Sequence, residues 1–487
     1  MLQIVSLFVL VILFPVTLTA QQIKAALYLD RKAAVPDWFE YSPKDKGLVT
    51  VGPMSRASSR NVGVTKYDTD FKKQWTKQLY SQQGRERIDH VAVLGENIIV
   101  FVAEDHPKED VVSIGAYQVD LSGKILGERK EISRSPRNRK GKEPLRYSVS
   151  PNKKKLMCFR KEGEKGGKEK LKFFVFDESF RKPEEAGLEL PYLAEQFDIR
   201  VVRVGNEGSI FVLGRINKTD NEGIEKWQYT LFHYSPQTQK AVEIPLKFAD
   251  AWVIDLTFRI DRDQQILVAG YYSKRGGEGV AGIVYQRLDA VTHKALVVTQ
   301  YPFSEDFKGR YLTQRQLEKG KELENLYLDN ILPKSDGGVL LLGERYYVTS
   351  STYRDLYGYW YTQTFYHYDD VIVTSVSGDG KVEWSTVVYK RQVSENPAQL
   401  SYFEVVSGEK LYLFYEYREK EIGNNVFSQS IDLQGVLSNR KPFLVDYHST
   451  NIFYRSLCEQ INNQEAYLVY FQQKRKVFTL LKIGFPG

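Results

Sequence analysis

VIDLTFRIDRDQQILVAGYY (residues 253–272), followed after one loop by AGIVYQRLDAVTHKALVVTQY (residues 281–301), is four short apolar runs broken by turn residues. The runs are rich in β-branched and aromatic side chains, a composition that favours strands. They are also too short to be core helices. The breaks DRDQ and DAVTH supply Asp, whose carboxylate caps a tight reversal. The stretch therefore reads as two hairpins in one antiparallel sheet. Such a sheet cannot bury both faces alone, so it needs copies to stack against.

The copies are present. FDIRVVRVGNEGSIFVLGRI with QYTLFHYSPQTQKAVEIPL (residues 197–246) and LSYFEVVSGEKLYLFYEY with NVFSQSIDLQGVLSNRKPFLV (residues 400–445) repeat the scheme, and further units begin near Trp38, Ile88, Leu145, Leu326 and Ile452. Eight units of roughly 45 to 70 residues match the size of four-stranded propeller blades with insertions. The expectation is an all-β fold, an eight-bladed β-propeller of four-stranded antiparallel blades, with seven blades as the fallback. The last unit supplies only three strands, and IKAALYL (residues 23–29) stands surplus before the first. That N-terminal strand is expected to complete the last blade, closing the ring and removing an exposed edge.

Between third and fourth strands the chain writes YDTDFKKQW (67–75), VDLSGKILG (119–127), SGDGKVEW (377–384) and IDLQGVLSN (431–439). These turns resemble degenerate Asp…Gly-Lys…Trp repeats of quinoprotein-type (PQQ-like) propellers, and also bacterial exported propellers with similar turns. The resemblance covers most of the chain. It implies a propeller; a quinoprotein dehydrogenase would add adjacent cysteines and a calcium-bound cofactor, and this chain has no Cys-Cys pair. No cofactor is expected. SGDGKVEW also matches the Asp box of sialidase-type propellers at Ser377, Asp379 and Trp384, but that box is a turn and not a catalytic group.

Residues 1–20, MLQIVSLFVLVILFPVTLTA, are uncharged and almost wholly apolar. They read as a signal peptide cleaved after Ala20, although no Lys or Arg precedes the run and Leu18 is large for its place. An uncleaved anchor is the alternative. Either way the rest, a single domain over 21–487, is expected to be exported, periplasmic or extracellular, with no later transmembrane segment. The two cysteines, Cys158 and Cys458, are far apart in strand contexts and read as free thiols rather than a bridge.

Strands a to d reverse in turn, so a–b and c–d turns share one side of the ring, and b–c loops and d–a crossings share the other. The first side is trimmed to hairpins such as GEN, GNEG, SDGG and SGEK. The second carries AEDHPKEDVV, RKEGEKGGKEK, INKTDNEGIEKW, the basic run RKEISRSPRNRKGKE and a charged, helical insert at about 305–325. Long loops on a rigid scaffold are where binding residues concentrate.

The longest excursion, RYYVTSSTYRDLYGYWYTQTFYHYDD (residues 345–370), is a tyrosine-rich b–c hairpin of the sixth unit. The candidate binding residues are Tyr346, Tyr357, Tyr359, Trp360 and Tyr361 as platforms, with Arg345 and Arg354 as donors. Tyr357, Tyr359 and Tyr361 are expected on one side with Trp360 opposed. Tyr and Trp join large rigid contact area to a polar tip, which suits sugars or proteins. The same rings also serve as cross-strand pairs that stabilise a two-stranded extension.

The basic stretch 129–172 is interspersed with Glu131, Glu143, Glu162, Glu164 and Glu169, so it reads as a solvated loop pair, and no nucleic-acid motif accompanies it. The six histidines, His90, His106, His233, His293, His367 and His448, are scattered singly, which gives no metal-ligand spacing. NKTDNEG lacks the ligand spacing of a calcium loop. Asn217-Lys-Thr219 is a formal glycosylation sequon. No catalytic residue is assigned. The expectation is an exported, monomeric binding or scaffold module for an envelope polysaccharide or protein. The alternative is a glycoside hydrolase or lyase using channel-facing carboxylates among Asp198, Asp255, Asp329 and Glu404.

Overall fold

The structure is a computed structural model that describes residues 21–29, 36–42, 44–54, 60–81, 85–136, 145–181, 183–219, 225–249, 251–261, 263–277, 279–419, 423–444 and 451–486. The candidate signal peptide, residues 137–143 of the basic crossing, the NKTDNEG segment from 220 and His448 lie outside the described residues.

Eight antiparallel sheets of four strands follow one another along the chain, two of them gaining a short extra strand. Blades 1 to 7 occupy residues 38–81, 86–136, 146–193, 197–245, 252–302, 326–388 and 402–444. Each runs a, b, c, d in sequence order. Blade 8 takes its strands from 451–484, and its outermost strand is Gln22–Leu29, which pairs antiparallel with Val477–Gly484. The surplus strand thus closes the ring as its place in the sequence suggests.

The core is divided accordingly. Buried apolar residues form eight clusters, each shared by two successive blades: Val64 and Val100 between blades 1 and 2, Phe211 and Phe258 between blades 4 and 5, Leu342 and Leu413 between blades 6 and 7. The cluster that includes Tyr41, Leu48, Tyr467 and Leu480 joins blade 8 back to blade 1. This arrangement accounts for the continuous apolar runs of the middle strands, since both faces of every blade are buried against a neighbour. All twelve aliphatic and aromatic residues of Ile98–Ala103 and Ile266–Tyr272, for example, are 2% exposed or less.

The Asp/Gly turns lock blade to blade. In Asp120–Lys124 and Asp432–Val436 the Asp Oδ1 accepts the backbone N–H two and four residues on, and a glycine takes positive φ between them. The tryptophan of the preceding blade then docks on the turn. Trp75 Nε1 donates to Leu121 O at 3.0 Å and Trp384 Nε1 to Leu433 O at 2.8 Å. A Cβ on Gly435 would stand 2.6 Å from the Trp384 ring, and one on Gly123 2.9 Å from Trp75. Only glycine permits the φ and the contact together.

One irregularity recurs on the innermost strands. The register of strand a slips by one residue at Asp89, Arg200, Ile254 and Asp329 in blades 2, 4, 5 and 6. All four bulges lie near the start of strand a, the end on the long-loop face. A bulge re-aims side chains where it occurs, and here it sets polar residues at that mouth of the central channel.

Candidate functional site

Blade 6 carries the largest departure from the repeat. Its strands b and c, Val339–Arg354 and Trp360–Val376, run for 16 and 17 residues, against at most 11 for any other strand. Residues 339–344 pair with 371–376 inside the blade. The ladder slips at Arg345 and resumes between 346–354 and 360–368. At ~3.3 Å per residue the outer part reaches about 30 Å from the blade.

The sequence explains why this ribbon holds together. Its tip is the same turn as in the c–d reversals: Asp355 Oδ1 accepts from Tyr357 N and Tyr359 N, both at 2.9 Å. Below it Tyr353 stacks on Tyr361, Thr352 meets Thr362 at 3.1 Å, and Tyr347 stacks on His367 at 4.3 Å between centroids. Strand Gln392–Ser394 covers one edge at 366–368. Cross-strand pairs of this kind contribute roughly 0.2–1 kcal/mol each.

The candidate residues fall into three places. Tyr357 and Tyr359 lie in the turn, and Trp360 and Tyr361 open the returning strand on opposite faces. The expected alternation of Tyr357, Tyr359 and Tyr361 therefore gives way at the tip, because Asp355 captures the amides that a strand would have paired. Tyr357 is 86% exposed, Tyr359 68% and Trp360 70%, with Leu356 wholly exposed beside them. Arg354 stays at this end, its guanidinium 5.9 Å from the Trp360 ring centroid. Tyr346 shares a face of the ribbon with Trp360 but sits at the base, between Tyr327 and Tyr368. Arg345, at the bulge, turns to the helical insert and lies 4.9 Å from the Tyr311 ring. That insert is two short helices, Glu305–Lys308 and Gln314–Glu318.

At the ribbon's base is a half-open cavity of about 500 Å³, with Tyr327, Tyr346 and Tyr368 on one wall and Asp329, Ser401 and Arg455 on the other. Arg455 reaches from blade 8 to Asp329 of blade 6 at 2.9 Å and bonds the Ser401 hydroxyl of blade 7. Ser401 donates to Glu344 at 2.5 Å, and Glu344 is paired with the fully buried Lys390 at 2.5 Å. Burial raises the Glu344 pKa and lowers that of Lys390, each opposed by the other's charge. Three blades are thereby tied at the channel mouth. Arg455 escaped the sequence reading because IFYRSLCEQI looks like one strand. A 3-10 turn at Arg455–Leu457 interrupts it and frees the side chain; the polar pair Arg455-Ser456 in the middle of the run was the available signal.

The four candidate carboxylates all lie on innermost strands, and each has a fixed partner. Asp198 accepts from Arg215 at 2.9 Å, Asp255 from Arg200 at 3.2 Å, Asp329 from Arg455 and Glu404 from Asn330 at 2.9 Å. Burial raises the pKa of Asp255 and of Glu404. Among the described residues no group of three His, Cys, Asp or Glu is placed to hold a metal ion. His233 and His293 meet each other at 2.7 Å. Both cysteines are free thiols, Cys158 buried. In the basic stretch Lys161, Lys168, Lys170 and Lys172 are each paired with a glutamate. No described helix is long and apolar enough to cross a membrane.

No family model and no curated protein matches the chain. Among solved structures it is similar to the WD40 domain of SCAP from fission yeast, at 8% identity and a TM-score of 0.41 over 96% of this chain and 98% of that one. It is also similar to the polysaccharide lyase Uly1, at 9% identity and 0.41 over 95% and 100%. The β-propeller domain of the Trilobed protease from Pyrococcus furiosus aligns at 11% identity and 0.38 over 82% and 93%. Likeness at this level carries no argument about function, and the propeller assignment rests on this chain's own sheets and clusters. The class defined by fold and site is an eight-bladed propeller with one strongly elaborated face.

Proposed function

We propose that this is an exported propeller that acts as a monomeric binding or scaffold module, engaging a protein or polysaccharide of the cell envelope through its long-loop face. The observation that carries the reading is the ribbon tip. Leu356, Tyr357, Tyr359 and Trp360 stand in solvent on a turn fixed by Asp355, beyond any blade they could stabilise. Tyr and Trp carry large contact area on only two side-chain torsions, so they lose little conformational entropy on contact and form strong anchors. The apolar sequence of residues 1–20 supports the export part of this reading. Kinship with quinoprotein-type repeats is supported by the docking of Trp75 and Trp384 on the Asp/Gly turns of the next blade. Asp198, Asp255 and Asp329 are each bonded to an arginine and Glu404 to Asn330, a structural pairing that supports binding over hydrolysis.

The test is retention of the mature chain on its own envelope fraction, comparing wild type with Y357S/Y359S/W360S. Loss of retention with an unchanged melting temperature is expected. Retention unaffected by the triple change would refute the reading, and a collapse in stability would make the rings structural.

A further inference from the structure

A cavity larger than the one at the ribbon's base lies elsewhere on the same face. It lies at the junction of blades 4, 5 and 6 on the long-loop face, has a volume of about 870 Å³ and is half open to solvent. Tyr327 forms part of its wall and also of the wall of the cavity at the ribbon's base. We propose that it binds a neutral oligosaccharide, with sugar rings on its aromatic side chains and hydroxyls bridging its fixed arginine–aspartate pairs. The proposal stands on this cavity alone and is independent of the ribbon-tip function above.

The apolar part is Trp227, Phe248, Trp252 and Tyr327. Two of these rings are held in place. The Arg215 guanidinium lies 3.9 Å from the centroid of Trp227. The backbone at Gly276 presses on Trp252, where a Cβ would come within 2.6 Å of the ring. Rings fixed before the ligand arrives reduce the ordering cost of binding. Aromatic faces suit the C–H faces of pyranose rings, while an all-apolar ligand would strand the charged groups beside them.

The polar part is an alternating ladder. Arg215 bonds Asp198, and Arg200 spans Asp198 at 3.5 Å and Asp255 at 3.2 Å. Burial works against the charge of Arg200, but Asp255 and Asp198 more than offset it, and its pKa is raised. Two guanidinium groups against two carboxylates sum to zero formal charge. An anionic ligand would have to compete with carboxylates already in place. Sugar hydroxyls both donate and accept, so they add to such a ladder without breaking it. At the same cavity Tyr271 is fully buried, and its hydroxyl has no hydrogen-bond partner among the described residues. That atom has no accessible surface, so the sugar is held by the rings and the ladder and not by this hydroxyl.

The test is calorimetric and tryptophan-fluorescence titration of the full chain with neutral gluco-, manno-, galacto- and xylo-oligosaccharides, alongside uronate oligosaccharides and a random peptide mixture. At least one neutral sugar is expected to bind saturably with little dependence on salt. Affinity should fall about tenfold or more in W227A and in F248S, and stay unchanged in Y357S/Y359S/W360S. Phe248 lies on a loop, so F248S reads the site even if W227A does not fold. The proposal is overturned if no neutral sugar binds, if both cavity variants bind normally, or if uronates or peptides bind in preference.

Discussion

The left-handed turn position shows how much one residue carries. Gly435 has φ 79° against the Trp384 ring, whereas Gly127 has φ 83° with open space around it. Alanine at either position meets the left-handed penalty of roughly 1–2 kcal/mol. Only at Gly435 does the new methyl also displace the ring, an overpacking cost of another ~1–3 kcal/mol. G435A is therefore expected to lower the thermal midpoint by about twice as much as G127A; equal shifts would mean that the tryptophan latch contributes nothing. Phe180 shows the opposite solution. It holds φ 51° at the matching turn position, yet is 1% exposed and stacked on Phe176. Burying a phenylalanine contributes ~1.5–3 kcal/mol, which offsets the strain.

Titration is also decided residue by residue. Burial pushes Glu416 up to about 7 against a usual 4.5, eased by the amide of Phe453. A raised carboxyl contributes stability that is complete below pH 4.5 and lost as pH rises through 7. E416Q should thus melt higher than wild type at pH 8, with the advantage gone by pH 4.5. Thermal melts across that range check the sign, and a constant difference would show that Glu416 does not titrate there. His90 and His233 act in the opposite direction. Burial holds both down at about 4, in His233 with help from His293, so the unfolded chain takes up protons first and stability falls as pH drops from 6.5 to 4.

At the scale of elements, the ribbon is expected to open on its own. Beyond 366–368, which also pair with Gln392–Ser394, its outer residues pair only with each other, so the tip depends on the Asp355 turn. D355A should speed amide exchange over 346–366 while leaving the global melting temperature within about 1 °C, as expected for a local opening. Uniform exchange across wild type and variant would mean that the ribbon is held elsewhere. The same segment shows what was legible. Strands, blade count and the elaborated face follow from short apolar runs rich in β-branched and aromatic residues and from turn chemistry, both local. The ribbon's length was legible too, from the tyrosine run. That Tyr357 and Tyr359 belong to the turn was encoded in DLYGY, which repeats the pattern of DLSGK and DLQGV, but aromatic alternation masked it. The gathering of Tyr327, Tyr368, Ser401 and Arg455 was not legible. It depends on inner-strand bulges and on three blades meeting, which no stretch of sequence states by itself.

For the molecule as a whole, everything depends on closure, because the eight interblade clusters form a ring only if blade 8 is complete. The strand Gln22–Leu29 uses both faces to do this. Leu27 and Leu29 pack on the cluster between blades 8 and 1, and Ala26 on the one between blades 7 and 8. Lys24 is bonded to Glu465 at 3.1 Å. A chain beginning at Pro36 would leave Val477–Gly484, with Phe478 and Leu480 in its core, as an unpaired edge. Such an edge recruits strands from other molecules. Truncation is expected to lower the melting temperature and produce concentration-dependent association in sedimentation. The peptide QIKAALYL added in trans should reverse both, since a ligand that binds only the native ring stabilises it by mass action. A truncated chain that stays monodisperse and melts like the full one would show that the ring is held by the six interfaces the strand does not touch, and that the terminal strand merely decorates it.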